Sequence, residues 1–411
     1  MKTVFRGTQL YDGFKDSGVD ISALADMPWP TFKSEEWKYT NLTGLGEQYF
    51  TPVSRFEGAL PDRVKDLFMP GAVNFVFVNG LFLEHLSETG KIDPRWQVKT
   101  GLDAMGFAKS SVSDLAKNET PVFRALNEAF VKDAIFIGVP QGVKGCAPFH
   151  IIHLLDGAVG RQAIFPRTFL KIGRGAGAIF WETVASFDEG EYFHCPVVEG
   201  LIEEDASLEY IQAQGHSAQA FHIGSVRIRQ ERNSRLDSFV LTTGARIFRN
   251  NVNVVLEGEG AEARVNGLHA LKGDRHADSH TCVDHAAPNT RSDQLYKCIL
   301  QDKAHSVFNG KIFVRREAQL TNSYQLNKNL ILSRECRVDT KPQLEINADD
   351  VKCTHGATIG QLNDEELFYL QTRGISKQEA RQMLVRGFVD DVLNKIVNPD
   401  LRAVIGKMAA F

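Results

Sequence analysis

From about residue 135 to 358 the apolar positions never fall into a helical period. Short runs rich in Val, Ile, Leu and Phe are broken by Gly, Asp and Asn, which predicts strands separated by turns. One unit recurs among them: a β-branched residue or Leu, a few polar or small residues, then a small residue followed two later by another small or apolar one. It reads IGRGAGA from Ile172, IEEDASL from Ile202, IRQERNSRL from Ile228, LEGEGAEA from Leu256, VRREAQL from Val314 and INADDVKC from Ile346. Anchored on Ala176, Ala206, Ser234, Ala261, Ala318 and Val351, the units lie 30, 28, 27, 57 and 33 residues apart, and 57 is close to two periods. A strand unit repeating about every 28 residues marks a β-solenoid, in which each coil contacts only its neighbours. The missing unit falls at 273–292, GDRHADSHTCVDHAAPNTRS. A flat β-sandwich is the competing architecture, but nothing in a sandwich spaces a motif evenly.

The flanks read differently. In 1–145, Pro28 and Pro30 stop any helix arriving from Ile21–Met27. Two apolar runs around Asn79-Gly80 predict a hairpin, and PVFRALNEAFVKD predicts a helix beginning at Pro121. In 361–411, Asn363 with Glu366, and Ser376 with Glu379, are spaced as capping boxes opening two helices. Gly374 closes the first. The second carries Ala380, Met383, Leu384, Phe388, Val392 and Ile396 at helical spacing, with Pro399 as its limit. The chain thus divides into a mixed, helix-rich part (1–145), a β-solenoid (146–360) and a helical segment (361–411).

Composition narrows the function classes. Hydrophobic residues at 43% and charged residues at 24% describe a folded domain with a sizeable core. A net charge of −4 predicts no general attraction to nucleic acid or acidic membranes. No run approaches the ~18 apolar residues of a membrane span, and the N-terminus lacks the apolar core of a secretory signal. The six cysteines are scattered and nowhere spaced as CxxC. A reducing, cytoplasmic compartment is expected.

Candidate chemistry concentrates near the end of the strand-rich region. Cys353 and His355 stand two apart, so on a strand they share a face. Thiolate and imidazole together suit iron, copper or zinc, but two ligands leave a site incomplete. A second set, His276, His280, Cys282 and His285, has metal-like spacing. On a strand His285 has the opposite parity, so only a loop would gather all four. Arg227, Arg229, Arg232 and Arg235 alternate with Glu231 and Asp237 and read as a solvated strand face. No P-loop, nucleophile elbow or strand-linked GxGxxG is present.

The segments EEWKYTNLTGL, SVFNGKIFV at 306–314, and DTKPQLEINADDVKCTHGATIGQL continuing through DEELFYLQTRGIS closely resemble the SufD branch of the SufB/SufD family. These are subunits of the SufB–SufC–SufD iron–sulfur cluster assembly complex. The resemblance runs along nearly the whole chain and is tightest from 300 to 396. The SufB branch shares the LFYLQTRGIS-like helix, but has acidic residues around its histidine and lacks the WKYT segment. The resemblance implies a right-handed parallel β-helix flanked by an α-rich N-terminal region and a C-terminal helical segment. It implies a non-catalytic scaffold, pairing with SufB through the β-helix and with the ATPase SufC through the C-terminal helices. Phe368, Tyr369, Arg373 and Phe388 are then the candidate ATPase contacts. His355 matches the family's interface histidine, with Cys353 beside it, as ligands of a transient iron–sulfur cluster shared with SufB. No permanent cofactor is expected, and a homodimer could form in isolation. The alternative is a stand-alone β-helix metalloenzyme using the His276–His285 set.

Overall fold

The computed structural model describes residues 3–53, 62–111, 120–157 and 160–409. Strands alternate between two sheets, of 12 and 10 strands. One strand from each sheet makes a coil, from Ala134–Val139 with Phe149–Leu155 to Arg337–Ile346 with Lys352–Gly360. Pairing between coils is parallel throughout. Gly177, Ser207, Arg235, Glu262, Arg291, Asn322 and Lys352 stack on successive rungs, so coils are 27–31 residues long. The chain is a parallel β-solenoid, as the spacing predicts, and not a sandwich.

The turns show what the repeat encodes. Gly175, Asp205, Asn233, Gly260, Asn289 and Leu320 occupy equivalent turn positions and all have positive φ, from 53° to 74°. Gly, Asn and Asp tolerate this left-handed conformation, and Leu does not. The next residue of each turn is the buried anchor: Ala176, Ala206, Ser234, Ala261, Thr290 and Thr321.

Two expectations are corrected here. The equivalent anchor is Thr321 and not Ala318, which sits earlier in the same turn and is also buried. The unit at 273–292 is not missing, because His276–His285 and Arg291–Leu300 are unbroken ten-residue strands. Part of its interior is hydrogen-bonded instead of apolar. His285 Nδ1 lies 2.8 Å from Thr290 Oγ1 and its Nε2 2.9 Å from Ser292 Oγ, with Ser323 Oγ 2.6 Å beyond. Buried polar groups are tolerable when paired in this way.

An apolar cluster runs alongside such polar groups. Val226, Ile228, Val252, Val254, Leu256, Val265, Val283 and Phe308 belong to one buried cluster running along the axis. The region 1–145 contributes strands Val73–Val78 and Ala134–Val139 to the sheets. The Asn79-Gly80 hairpin forms, with φ of 46° and 79°. Between residues 21 and 27 the chain makes a three-residue 3₁₀ turn, Ser22–Leu24, and the earlier helix Gln9–Lys15 has already ended. Trp29 and Trp37 then anchor the N-terminal segment, both buried. Trp37 lies over the Arg249 guanidinium at 4.4 Å, and Arg249 donates to Asp278 at 2.8 Å.

The C-terminal segment makes three helices, Asp364–Thr372, Lys377–Leu393 and Pro399–Met408. Ser376 and Glu379 form the full capping box, whereas Asn363 caps through the Glu365 N–H. Pro399 does not merely end the second helix: it opens a third at its first position, with Asn398 accepting from Asp400 and Leu401. Val389, Val392, Leu393, Leu401 and Ile405 pack with Trp181, Ile211, Phe239, Leu268 and Ile299 of the 10-stranded sheet.

Candidate functional site: the open end of the solenoid and its helical arm

Solenoid ends are normally covered, because an end rung exposes unpaired backbone and half a core. Arg337–Ile346 and Lys352–Gly360 are the outermost strands of their sheets, and among the described residues nothing pairs with their outer edges. The two edges differ. Arg337–Ile346 contains Lys341 and Pro342, residues that blunt an edge against further pairing. Lys352–Gly360, KCTHGATIG, contains no proline and leaves Ile359 51% exposed.

Cys353 and His355 lie on this second edge. They pair with Ser323 and Gln325 of the preceding rung, both buried and turned inward. Both positions therefore belong to the inner face, but with no further coil the inner face opens to the outside. Cys353 is half-buried against the small cluster of Ile312, Val314, Ala318 and Ala348, and burial raises its thiol pKa. His355 is exposed. The result is a thiol and an imidazole at the mouth of the core, beside an edge able to accept another strand.

Directly after this edge comes the helical arm. Among the described residues of Asp364–Thr372 only Leu367 is buried, while Phe368 and Tyr369 are 69% and 57% exposed. Arg373 donates to the Tyr369 hydroxyl at 3.2 Å and lies 5.3 Å from its ring, so the two hold each other in place. Phe388 is placed differently. It is half-buried, and Lys297 lies 4.2 Å from its ring while donating to its carbonyl at 2.7 Å. Lys297 also pairs with Asp391 at 2.6 Å. Phe388 therefore joins the arm to the body, and Phe368, Tyr369 and Arg373 lie on the face turned outward.

The structure disperses the second set. His276–His285 is a regular strand, so His285 turns into the solenoid while His276, His280 and Cys282 face the N-terminal segment. His276 Nδ1 lies 3.0 Å from His305 Nδ1, and His280 contacts Asp278 and Glu36. Asp278 is fully buried. Burial opposes its charge, yet Arg249 and His280 hold its carboxyl below the usual range. The three histidines join separate hydrogen-bonding networks, and the four residues do not form one ligand set. The arginine reading is corrected at one position: Arg227 is 1% exposed, beside Glu199, which also binds Arg167 at 2.6 Å. Arg229, Arg232 and Arg235 do pair with Glu257, Glu204 and Glu262 on the outside.

One constellation escaped the sequence reading. His194, His216 and His222 are all buried and bring one ring nitrogen each within 4.8 Å of the others. His194 and His222 are register partners 28 residues apart, a single coil. Two histidines spaced by the repeat would have betrayed the stack.

The chain is thus a parallel β-solenoid whose last strand carries Cys353 and His355 on an edge unpaired among the described residues, followed by a helical arm. The chain matches the model of the SUF system FeS cluster assembly SufBD core domain over residues 153–388. It is 30% identical over 379 residues to the iron–sulfur cluster assembly protein SufD of Escherichia coli, covering 91% of this chain and 86% of that one. A SufBD family iron–sulfur cluster assembly protein of Synechocystis is 30% identical over 386 residues, 91% of this chain and 85% of the relative. Protein ABCI7, chloroplastic, of Arabidopsis thaliana is 29% identical over 406 residues, 94% and 83% respectively. The chain belongs to the SufB/SufD family of iron–sulfur cluster assembly proteins.

Proposed function

We propose that this chain is the SufD-type, non-catalytic scaffold subunit of an iron–sulfur cluster assembly complex. The observation that carries this is the final rung, unpaired on its outer edge among the described residues, which presents a proline-free strand edge and two potential cluster ligands together. A SufB-like solenoid meeting Lys352–Gly360 would cover the open core and supply the ligands that Cys353 and His355 lack. Iron and sulfide are the material being assembled there, so the cluster is transient cargo at a shared site. The family's ATPase, a SufC-like subunit, would take the arm through Phe368, Tyr369 and Arg373. Drawing two such arms together on ATP binding would strain the interface between solenoids and open the ligands to incoming iron and sulfur. A solenoid suits this because stacked coils transmit displacement between their ends.

The test is co-expression with a SufB-like and a SufC-like partner, followed by iron and sulfide analysis. His355→Ala is expected to abolish or strongly reduce cluster content while all three chains still co-purify. Assembly at the wild-type rate in that variant would overturn the ligand role. The metalloenzyme alternative loses its support, since its four residues do not converge.

A further inference from the structure

The proposed function leaves the three buried histidines unused. His194 lies on the strand Tyr192–His194, His222 one coil later on Phe221–Gln230, and His216 just after Ser207–Gly215. They are 1%, 0% and 3% exposed. His194 Nδ1 and His222 Nδ1 face each other at 3.1 Å, and the Nε2 atoms of both rings have no hydrogen-bond partner among the described residues. If the facing nitrogens share one hydrogen bond, one Nε2 is a buried N–H without an acceptor and the other a buried lone pair without a donor. Each such group costs about 1–3 kcal/mol. With both Nδ1 lone pairs on one cation instead, each Nε2 carries its proton and still lacks an acceptor among the described residues, so it is the Nδ1 separation and the convergence of three rings that argue for an ion. Tetrahedral coordination at ~2.0–2.1 Å places neighbouring nitrogens ~3.3 Å apart, close to the separation observed.

At His216 the surroundings fit this second arrangement. Gln214 Oε1 accepts from His216 Nε2 at 3.1 Å, leaving Nδ1 with the lone pair, and Tyr192 Oη is 3.1 Å from that atom. Ligating histidines generally donate their other N–H to a carbonyl or carboxylate in this way. Phe248 stacks on His222 at 4.6 Å and fixes its plane. Gly224 leaves room for the ring, since a Cβ there would sit 2.6 Å from His222 Nε2. Beyond His194 lies His153, whose Nε2 is 3.7 Å from the buried Glu182 carboxylate, a source of compensating negative charge.

We propose that His194, His216 and His222 bind one divalent transition-metal ion inside the solenoid, locking adjacent coils together. Three imidazoles select zinc, iron(II), cobalt(II) or nickel over magnesium or calcium. The site is independent of the interface reading, because His222 lies four rungs from the open end. Being sealed, it takes up metal as the coils close during folding.

The test uses the full chain, expressed with cobalt(II) in the medium, washed with chelator and freed of small molecules. Metal analysis should find about one cobalt per folded chain. X-ray absorption should show imidazole nitrogens at ~2.0–2.1 Å and no sulfur. The double variant His194→Asn/His222→Asn should lose at least about tenfold of the metal. Cys353→Ala/His355→Ala and Cys282→Ser should retain all of it. Less than about a tenth of an equivalent in the wild-type chain, sulfur in the coordination shell, or metal retained by the double histidine variant would each overturn the proposal. Should that variant not fold, the wild-type coordination shell and the two control variants decide the question.

Discussion

Leu320 is a non-glycine residue held at φ 61° in an exposed turn, where the equivalent positions of other coils carry Gly, Asp or Asn. A left-handed conformation costs a branched side chain about 1–2 kcal/mol, and Leu320 is 55% exposed, so little packing compensates it. Leu320→Asn is therefore expected to stabilise the chain by about 1 kcal/mol, read as a higher urea midpoint with an unchanged slope. The same residue explains the misplaced anchor in the sequence. Without the expected turn residue before Thr321, the small Ala318 nearby stands out instead. At Cys353 and His355 the alternation of a strand predicts a shared face. That this face is the mouth of an open core follows only from the rung's position at the end of the sheets.

Among the elements, the C-terminal arm divides into an anchor and a free face. Phe388→Ala removes packing and a cation–π contact from the Lys297 junction and should lower the melting temperature. Phe368→Asp changes a residue that is 69% exposed and should leave melting unchanged while weakening retention of a SufC-like ATPase. Equal retention in Phe368→Asp and wild type would exclude that face from docking. Helical spacing placed both phenylalanines on helices. It could not say which of them meets the sheet, because the arm's second helix reaches the sheet only toward its C-terminal end. Hydrophobic spacing also missed the coil at 273–292, where His285, Thr290 and Ser292 satisfy one another inside the solenoid.

For the molecule as a whole, buried neutral histidines impose a pH dependence. Burial lowers His269 and His285 to about 4 and His150 to about 3. Unfolded, each would titrate near 6.5. Between those values the unfolded chain binds more protons than the folded one, so stability is full above about pH 6.5 and falls as the pH drops toward 4. The melting temperature at pH 5 should lie roughly 5 °C or more below that at pH 7. His285→Gln should flatten the slope by close to one proton, and an unchanged slope would show that this ring does not titrate on unfolding.

The sequence by itself determined the parallel solenoid, its period, the capped terminal helices and the adjacency of Cys353 and His355. Each of these rests on local rules: turn residues that accept positive φ, side chains that alternate along a strand, and caps that satisfy free N–H groups. The tertiary structure alone decided which groups meet across coils and which surfaces remain open. Folding of the turn after Ser207–Gly215 brings His216 onto the His194–His222 pair, at no multiple of the repeat from either. The end of the sheets leaves Lys352–Gly360 as an edge, and the Lys297 junction fixes which side of the arm faces away. Those outcomes depend on where the stacking stops and what it places side by side, which no local pattern in the chain encodes.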